Sequence, residues 1–324
     1  MTNREIYQKT LSFSLRRALF DILAFLVLGA LTFGGFLLME KLSGEGLVGL
    51  VIGLLLGIVV VAVALRYVSF TYKAGQIAMM TRAITEGELP EDVVAEGKRT
   101  VKERFTTIAA FFFITRAVSA IFRQLGRGLT ALGSMVGGET GSNVADAINS
   151  AIQVVISYLC DCCLGWIFYR REQTTTKAAC EGAVLFFKHG KTLLKNLGRV
   201  AGLGLASLVV IGGAFMGVFY AIFSSLPISG FEMIYRELVE NVAENGSTLP
   251  GFITGPGSIV LVAAALAAVI LWSILHSVFV RPFILVGVLR NYMESGMSEV
   301  PTEASFALLD EKSPRFRKLR AQGV

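Results

Sequence analysis

Residues 46–65, GLVGLVIGLLLGIVVVAVAL, contain no charged side chain. About 20 apolar residues are what a helix needs to cross the ~30 Å hydrocarbon core of a bilayer. In that core only a helix or a closed barrel satisfies its own backbone hydrogen bonds. Three further stretches meet the requirement: 18–39, interrupted only by Asp21, then 200–226 and 258–280. Two more, 105–133 and 144–167, are candidates of a more polar kind. The composition agrees. The chain of 324 residues is 54% hydrophobic and 17% charged, where a soluble domain carries about 25% charged residues.

Orientation follows from the cations. Four Lys and Arg lie in the tail to Arg17, seven in 66–104, seven in 168–199 and seven from Arg281 onward. Segments 40–45 and 227–257 hold one each, Lys41 and Arg236. The positive-inside rule then places both termini and segments 66–104, 168–199 and 281–324 in the cytoplasm, with 227–257 external. Two cytoplasmic segments flanking 105–167 require an even number of crossings between them. The expected fold class is an all-α polytopic membrane protein of about six spans in a single integral membrane domain. The hairpin would turn at MVGGETGSN; if 105–167 lies on or dips into the membrane instead, four spans remain. The N-terminal residues run into a full-length span without a short apolar region and cleavage site, so they do not read as a removed signal.

Segment 66–104 reads as helix, turn and interfacial amphipathic helix. In 227–257 Phe231, Ile234, Leu238 and Val242 recur at helical spacing opposite Glu232, Glu237, Glu240 and Glu244, predicting a short external helix.

The polar hairpin is the candidate site. Arg116, Ser119, Arg123 and Arg127 recur at steps of three or four, as do Asp146, Asn149, Gln153, Ser157 and Asp161, so each set shares one helical face. An ionisable group in a span costs about 2.5–3.5 kcal/mol on insertion scales and needs a partner or water. Equal distance from the turn pairs Arg116 with Cys160 and Asp161, Arg123 with Gln153 and Arg127 with Asn149. The stripes read as a hydrated pathway or substrate site, as interhelical hydrogen bonds, or as a cytoplasm-facing amphipathic pair.

Gly49, Gly53 and Gly57 form a small-residue ladder that permits close helix approach, within the chain or between subunits. Gly198 with Gly202 and Gly213 with Gly217 repeat it. Phe215, Phe219 and Tyr220, with Phe223, read either as a cage for a quaternary ammonium group or as a lipid-facing or core stripe. Trp166 and Trp272 fit the aromatic belt at the cytoplasmic face. His276 reads as a proton-coupling residue or as a bond to a neighbouring helix.

Of the four cysteines, Cys160, Cys162 and Cys163 cluster at a helix exit on the reducing side, which disfavours a disulfide. Only Cys160 and Cys163 have C-x₂-C spacing and no second pair follows, so no metal and no cofactor is expected. Lipid modification of juxtamembrane thiols is the other reading. Phosphate loops, zinc-protease signatures and nucleophile elbows are absent, so the chain does not read as an enzyme. The basic tail SPRFRKLRAQGV points to anionic lipid rather than nucleic acid.

Three pieces, LCDCCLGWIF, AVLFFKHGKTLLKNLGRV and RPFILVGVLRNYMESG, resemble the choline transporter-like family in order and sidedness. The resemblance covers roughly residues 105–324. It implies that family's fold for the last four spans and, as substrate, a small organic cation such as choline or ethanolamine. That family has about ten spans and a large extracellular loop, for which this chain has no room. The expected function is a plasma-membrane (cytoplasmic/inner membrane) transporter or transporter-like permeation protein for such a small polar or cationic substrate. The alternatives are a homo-oligomeric channel or pore, or a non-transporting scaffold subunit; membrane lipids and further copies of the chain are the expected partners.

Overall fold

The computed structural model describes the chain except residues 135–141, 195–196, 245, 247, 299–300 and 323–324, and the side chains of 125–134, 142–152, 155, 189–194, 197–201 and 228. The predicted turn MVGGETGSN therefore lies largely outside the described residues, as do the His189 side chain and those of Arg127, Asp146 and Asn149.

Most of the described residues are helical, and none is in a strand. The helices are α1 (Asn3–Ser43), α2 (Gly46–Val68), α3 (Ala74–Thr85), α4 (Val93–Arg104), α5 (Ile108–Ser134), α6 (Ser142–Tyr169), α7 (Thr175–Leu194), α8 (Leu197–Ser207), α9 (Gly213–Ser224), α10 (Ile228–Glu244), α11 (Pro256–Leu275), α12 (Arg281–Ser298), α13 (Glu303–Lys312) and α14 (Pro314–Ala321). Single π-helical turns continue three of them: Ser69–Lys73, Leu208–Gly212 and His276–Val280. Four runs are long and apolar enough to cross a membrane: Asn3–Ser43, Gly46–Thr85, Gly202–Ser224 and Pro256–Ser298. Each contains most or all of one of the four least polar predicted spans. Three of these runs, at 40 to 43 residues, are about 60 Å long, twice the hydrocarbon core. The excess length is where the polar chemistry sits.

The chain forms two compact units: Met1–Phe20, Ala64–Gly202 and Arg281–Val324 make the first, and Asp21–Val63 with Leu203–Val280 the second.

The first unit has a protein-type core. Its centre is α3, whose Ile77, Ala78, Met79 and Met80 are all buried against α4, α6 and α12. Segment 66–104 is helix, turn and helix as expected, and the buried face of the amphipathic second helix α4, with Val94, Gly97, Thr100 and Val101, packs on α3. Asp92 caps α4, accepting from Ala95 N at 2.9 Å. A Cβ on Gly97 would sit 2.5 Å from Phe13 Cζ, so α3 and α4 close around that ring only because Gly75 and Gly97 have no side chain. Gln76 Nε2 ties α3 to α1 through Ser14 Oγ (2.9 Å) and Thr10 O (3.2 Å). The Arg104 guanidinium donates to the carbonyls of Ile167, Arg170 and Gln173, satisfying the end of α6.

The basic tail folds back as a pair of short helices on α5 and α7. Ser313 caps α14 and donates to Gln124 Oε1 (3.0 Å). Phe316 and Leu309 are fully buried, and Arg320 pairs with Glu303 and Asp310.

The second unit is held together by small residues. A Cβ on Gly49 would sit 2.1 Å from the Gly35 carbonyl oxygen, one on Gly53 2.2 Å from that of Leu31, and one on Gly57 2.7 Å from Leu28 Cδ1. The ladder is thus used inside the chain, where α2 meets α1, and that face is not open to a second subunit. A Cβ on Gly202, Gly213 or Gly217 would meet nothing within 4 Å, so none of these three marks a close crossing. In α11, which lies on α9, Ala264 and Ala268 are buried. The helix expected in 227–257 is present as α10, with Phe231, Ile234, Leu238 and Val242 half-buried and Glu232, Glu240 and Glu244 exposed. Glu237 departs from that division: its Oε2 is buried without a hydrogen-bond partner among the described residues.

Candidate functional site: a buried carboxylate between two cations

Asp161 is 4% exposed in the middle of the first unit. Its Oδ1 lies 2.7 Å from Lys73 Nζ and its Oδ2 2.5 Å from Arg281 Nη2. Arg281 also donates to the Ser157 carbonyl (3.3 Å), and its guanidinium lies over the Tyr158 ring, 5.3 Å from the centroid. A carboxylate removed from water loses its hydration and is kept charged by close donors. Two cations, one on each oxygen, meet that requirement.

The two cations reach Asp161 through the same local device. Lys73 is the last residue of the π turn Ser69–Lys73, and Arg281 directly follows the π turn His276–Val280. A π turn inserts one residue into the α repeat and re-aims every side chain beyond it. Without these turns, helical periodicity would point both cations elsewhere.

The predicted partnership is therefore different in kind. Arg116 and Arg123 are both exposed, and neither makes an ion pair or hydrogen bond among the described residues. Gln153 is exposed and makes no bond to Arg123 among the described residues. Pairing by depth in a hairpin compared only the two helices of the hairpin, whereas the partners come from α2's continuation and the start of α12. Lys73 and Arg281 were legible as topology markers, each where an apolar run meets a basic segment, and nothing in their spacing marks them as ligands of one carboxylate.

A cavity of about 340 Å3 opens beside the ion pairs. Ser69 and Lys73 line it from the π turn, Phe111, Phe112, Thr115 and Ser119 from α5, and Gln153, Ile156, Ser157, Cys160, Asp161 and Leu164 from α6. The polar stripe read from the sequence does face a common space, through Ser119, Gln153, Ser157 and Asp161. The wall is otherwise aromatic and aliphatic.

A second buried polar set lies at the end of α6. Glu181 accepts from Trp166 Nε1 (3.2 Å) and Gln173 Nε2 (2.7 Å), and its carboxylate lies 3.2 Å from Arg170 Nε. Trp166 is thereby a core residue, edge-on to Tyr292, and not part of an interfacial belt. All four cysteines are free thiols, with Cys162, Cys163 and Cys180 buried. Burial pushes the Cys180 thiol up to about 12, against the opposing charge of Arg320. No group of three or more His, Cys, Asp or Glu among the described residues is arranged to hold a metal ion.

The predicted aromatic cage is not formed. Phe215, Phe219 and Phe223 follow one another along α9 with centroids 6.4 and 5.9 Å apart, while Tyr220 is exposed apart from this stripe. His276 lies against Trp272, whose indole donates to Ser207 Oγ (3.2 Å).

No known family profile, curated protein or solved structure matches the chain.

Proposed function

We propose that the chain is a transporter-like permeation protein of the plasma (cytoplasmic/inner) membrane, with the first unit's cavity as its solute site. The observation that carries this is the polar cavity beside Lys73, Asp161 and Arg281, in a chain with four helices of membrane-crossing length. Burying an ion pair stabilises a fold little or not at all. A concave site with a few convergent polar groups in an otherwise apolar wall is where a small solute binds.

The count of crossings is four on this reading. In α6, residues 158–168 are buried apart from Cys160. Phe111, Ile114, Val118, Ile121 and Phe122 of α5 are buried too. Both helices have a protein neighbour where a span would have lipid. The parity set by the cytoplasmic segments is met by no crossing between them as well as by two. The concentration of Lys and Arg puts the first unit on the cytoplasmic side.

The choline-like cation implied by the family resemblance is the second substrate reading, and uptake distinguishes it. Proteoliposomes holding the full chain should take up a small organic solute saturably. Ser119→Trp, which fills the cavity, should abolish uptake at an unchanged level of protein in the membrane. Uptake insensitive to Ser119→Trp would sink the assignment of the site. Unitary current in a planar bilayer would move the reading to a pore, and silence in both assays with a stable co-purifying protein to a scaffold.

A further inference from the structure

Resting on the assignment of the cavity as the solute site, we infer that its ligand is a small organic anion, a carboxylate on an apolar body, and not a cation. Three features of the wall lead there. The charged residues that line it are Lys73 and Asp161, and Arg281, which does not line it, pairs with Asp161 from behind. Each oxygen of that carboxylate is already paired with a cation, so an entering ammonium group would meet a carboxylate whose charge is offset and would crowd Lys73, a like charge. An ammonium has three protons, and Lys73, which lines the cavity, has Asp161 as its one ion-pair or hydrogen-bond partner among the described residues. Donors are therefore left on the cavity side for an anionic oxygen, and charge-assisted hydrogen bonds are the stronger kind.

The remaining wall sets the shape of the ligand. Thr115 gives its hydroxyl proton to the Phe111 or Phe112 carbonyl, 2.9 and 3.2 Å away. The hydroxyls of Ser69, Ser119 and Ser157 and the amide of Gln153 are further polar groups of the wall. Phe111, Phe112, Ile156 and Leu164 form an apolar surface that gains from burying a ring or alkyl body. The same head-group chemistry is available from a free carboxylate and from an anionic phospholipid.

The test is equilibrium binding of radiolabelled benzoate to the full chain in nanodiscs of zwitterionic lipid, against benzamide and benzylammonium of the same shape. A hydrogen bond to a charged group contributes about 1.5–3 kcal/mol, which is about tenfold or more in affinity. Benzoate should bind saturably, and both competitors about tenfold or more weaker. Lys73→Gln should abolish the preference for benzoate over benzamide, and Lys73→Arg should restore it. If Lys73→Gln does not fold, Ser119→Trp blocks the cavity without touching either ion pair, and benzoate binding should be lost. Equal binding of benzoate and benzamide, a preference for benzylammonium, or benzoate binding that survives Ser119→Trp overturns the inference. Nanodiscs of anionic phospholipid separate the sources: displacement of benzoate there makes the anion a lipid headgroup, and undiminished binding makes it a free solute. Benzoate binding without uptake of any solute removes the transport reading and leaves the anion site standing. Saturable uptake of choline or benzylammonium in preference to benzoate does the reverse.

Discussion

The two units are built from the same long helices and solve burial in opposite ways. In the first, the largest side chains are inside: Phe13, Phe105, Met79, Met80 and Tyr292 are 2% exposed or less, and buried polar atoms of Gln76 and Tyr292 find partners. In the second, large apolar side chains point out, with Phe33 64% and Val210 70% exposed. What it buries instead is mostly small: Gly53, Gly57, Gly212, Ala264 and Ala268. Water drives apolar groups together, while lipid solvates a leucine as well as protein does, so close backbone approach is what holds membrane helices together. Within α1 the change comes along one helix, residues 3–20 belonging to the first unit and 21–43 to the second.

The largest expected effect separates the units. Asp161→Asn leaves Lys73 and Arg281 facing each other with their shared carboxylate gone, and breaking a buried pair in this way costs about 3–5 kcal/mol. The chain's two tryptophans, Trp166 and Trp272, fall one in each unit. Unfolding followed by Trp166 fluorescence in a Trp272→Phe background should shift by that amount. The transition followed by Trp272 in a Trp166→Phe background should stay in place. Equal shifts in both would mean that the units are not energetically distinct.

The converse change is Gly53→Leu, in the second unit. Its Cβ would meet the Leu31 carbonyl at 2.2 Å, and backbone cannot yield as a side chain does, so about 1–3 kcal/mol of overpacking follows. Here the Trp272 transition should move and the Trp166 transition should not.

The smallest effect concerns Glu237. Burial, with help from Glu40 and Glu240, raises its carboxyl above the ordinary 4.5. A raised carboxyl holds its proton more tightly in the folded state, so its contribution is fully present below 4.5 and is lost as pH rises through the folded value. Glu237→Gln should therefore raise the melting temperature slightly at pH 7 and leave it unchanged at pH 4. A loss of stability at pH 7 would show that the charged carboxylate is favourable where it sits.

The same contrast explains what could be read from the sequence. The four apolar runs and the helix α10 were legible because lipid-facing helices are apolar all round and α10 has a clear apolar stripe. Asp161 was found because a charge within an apolar helix stands out. Its partners were not found, because Lys73 and Arg281 sit in basic segments where any one cation looks like any other, and the π turns that aim them leave no compositional trace. The core role of α3 was hidden for a related reason: GQIAMMTRAIT is of mixed polarity, and only its neighbours α4, α6 and α12 bury most of its length. Trp166 looked like a belt residue by its place at a helix end, and its buried partner Glu181 lies fifteen positions away on another helix.

Collision accessibility of nitroxide labels in proteoliposomes tests the contrast most directly, since oxygen concentrates in the bilayer and a nickel chelate in water. Labels at Phe33, Leu55, Val210 and Leu266 in the second unit, all exposed, should collide with oxygen and be shielded from nickel. Labels at the exposed positions Glu88, Lys102, Lys177 and Glu311 of the first unit should show the reverse. Nickel accessibility at Val210 equal to that at Lys177 would contradict the division of this chain into a lipid-solvated unit and a protein-cored one.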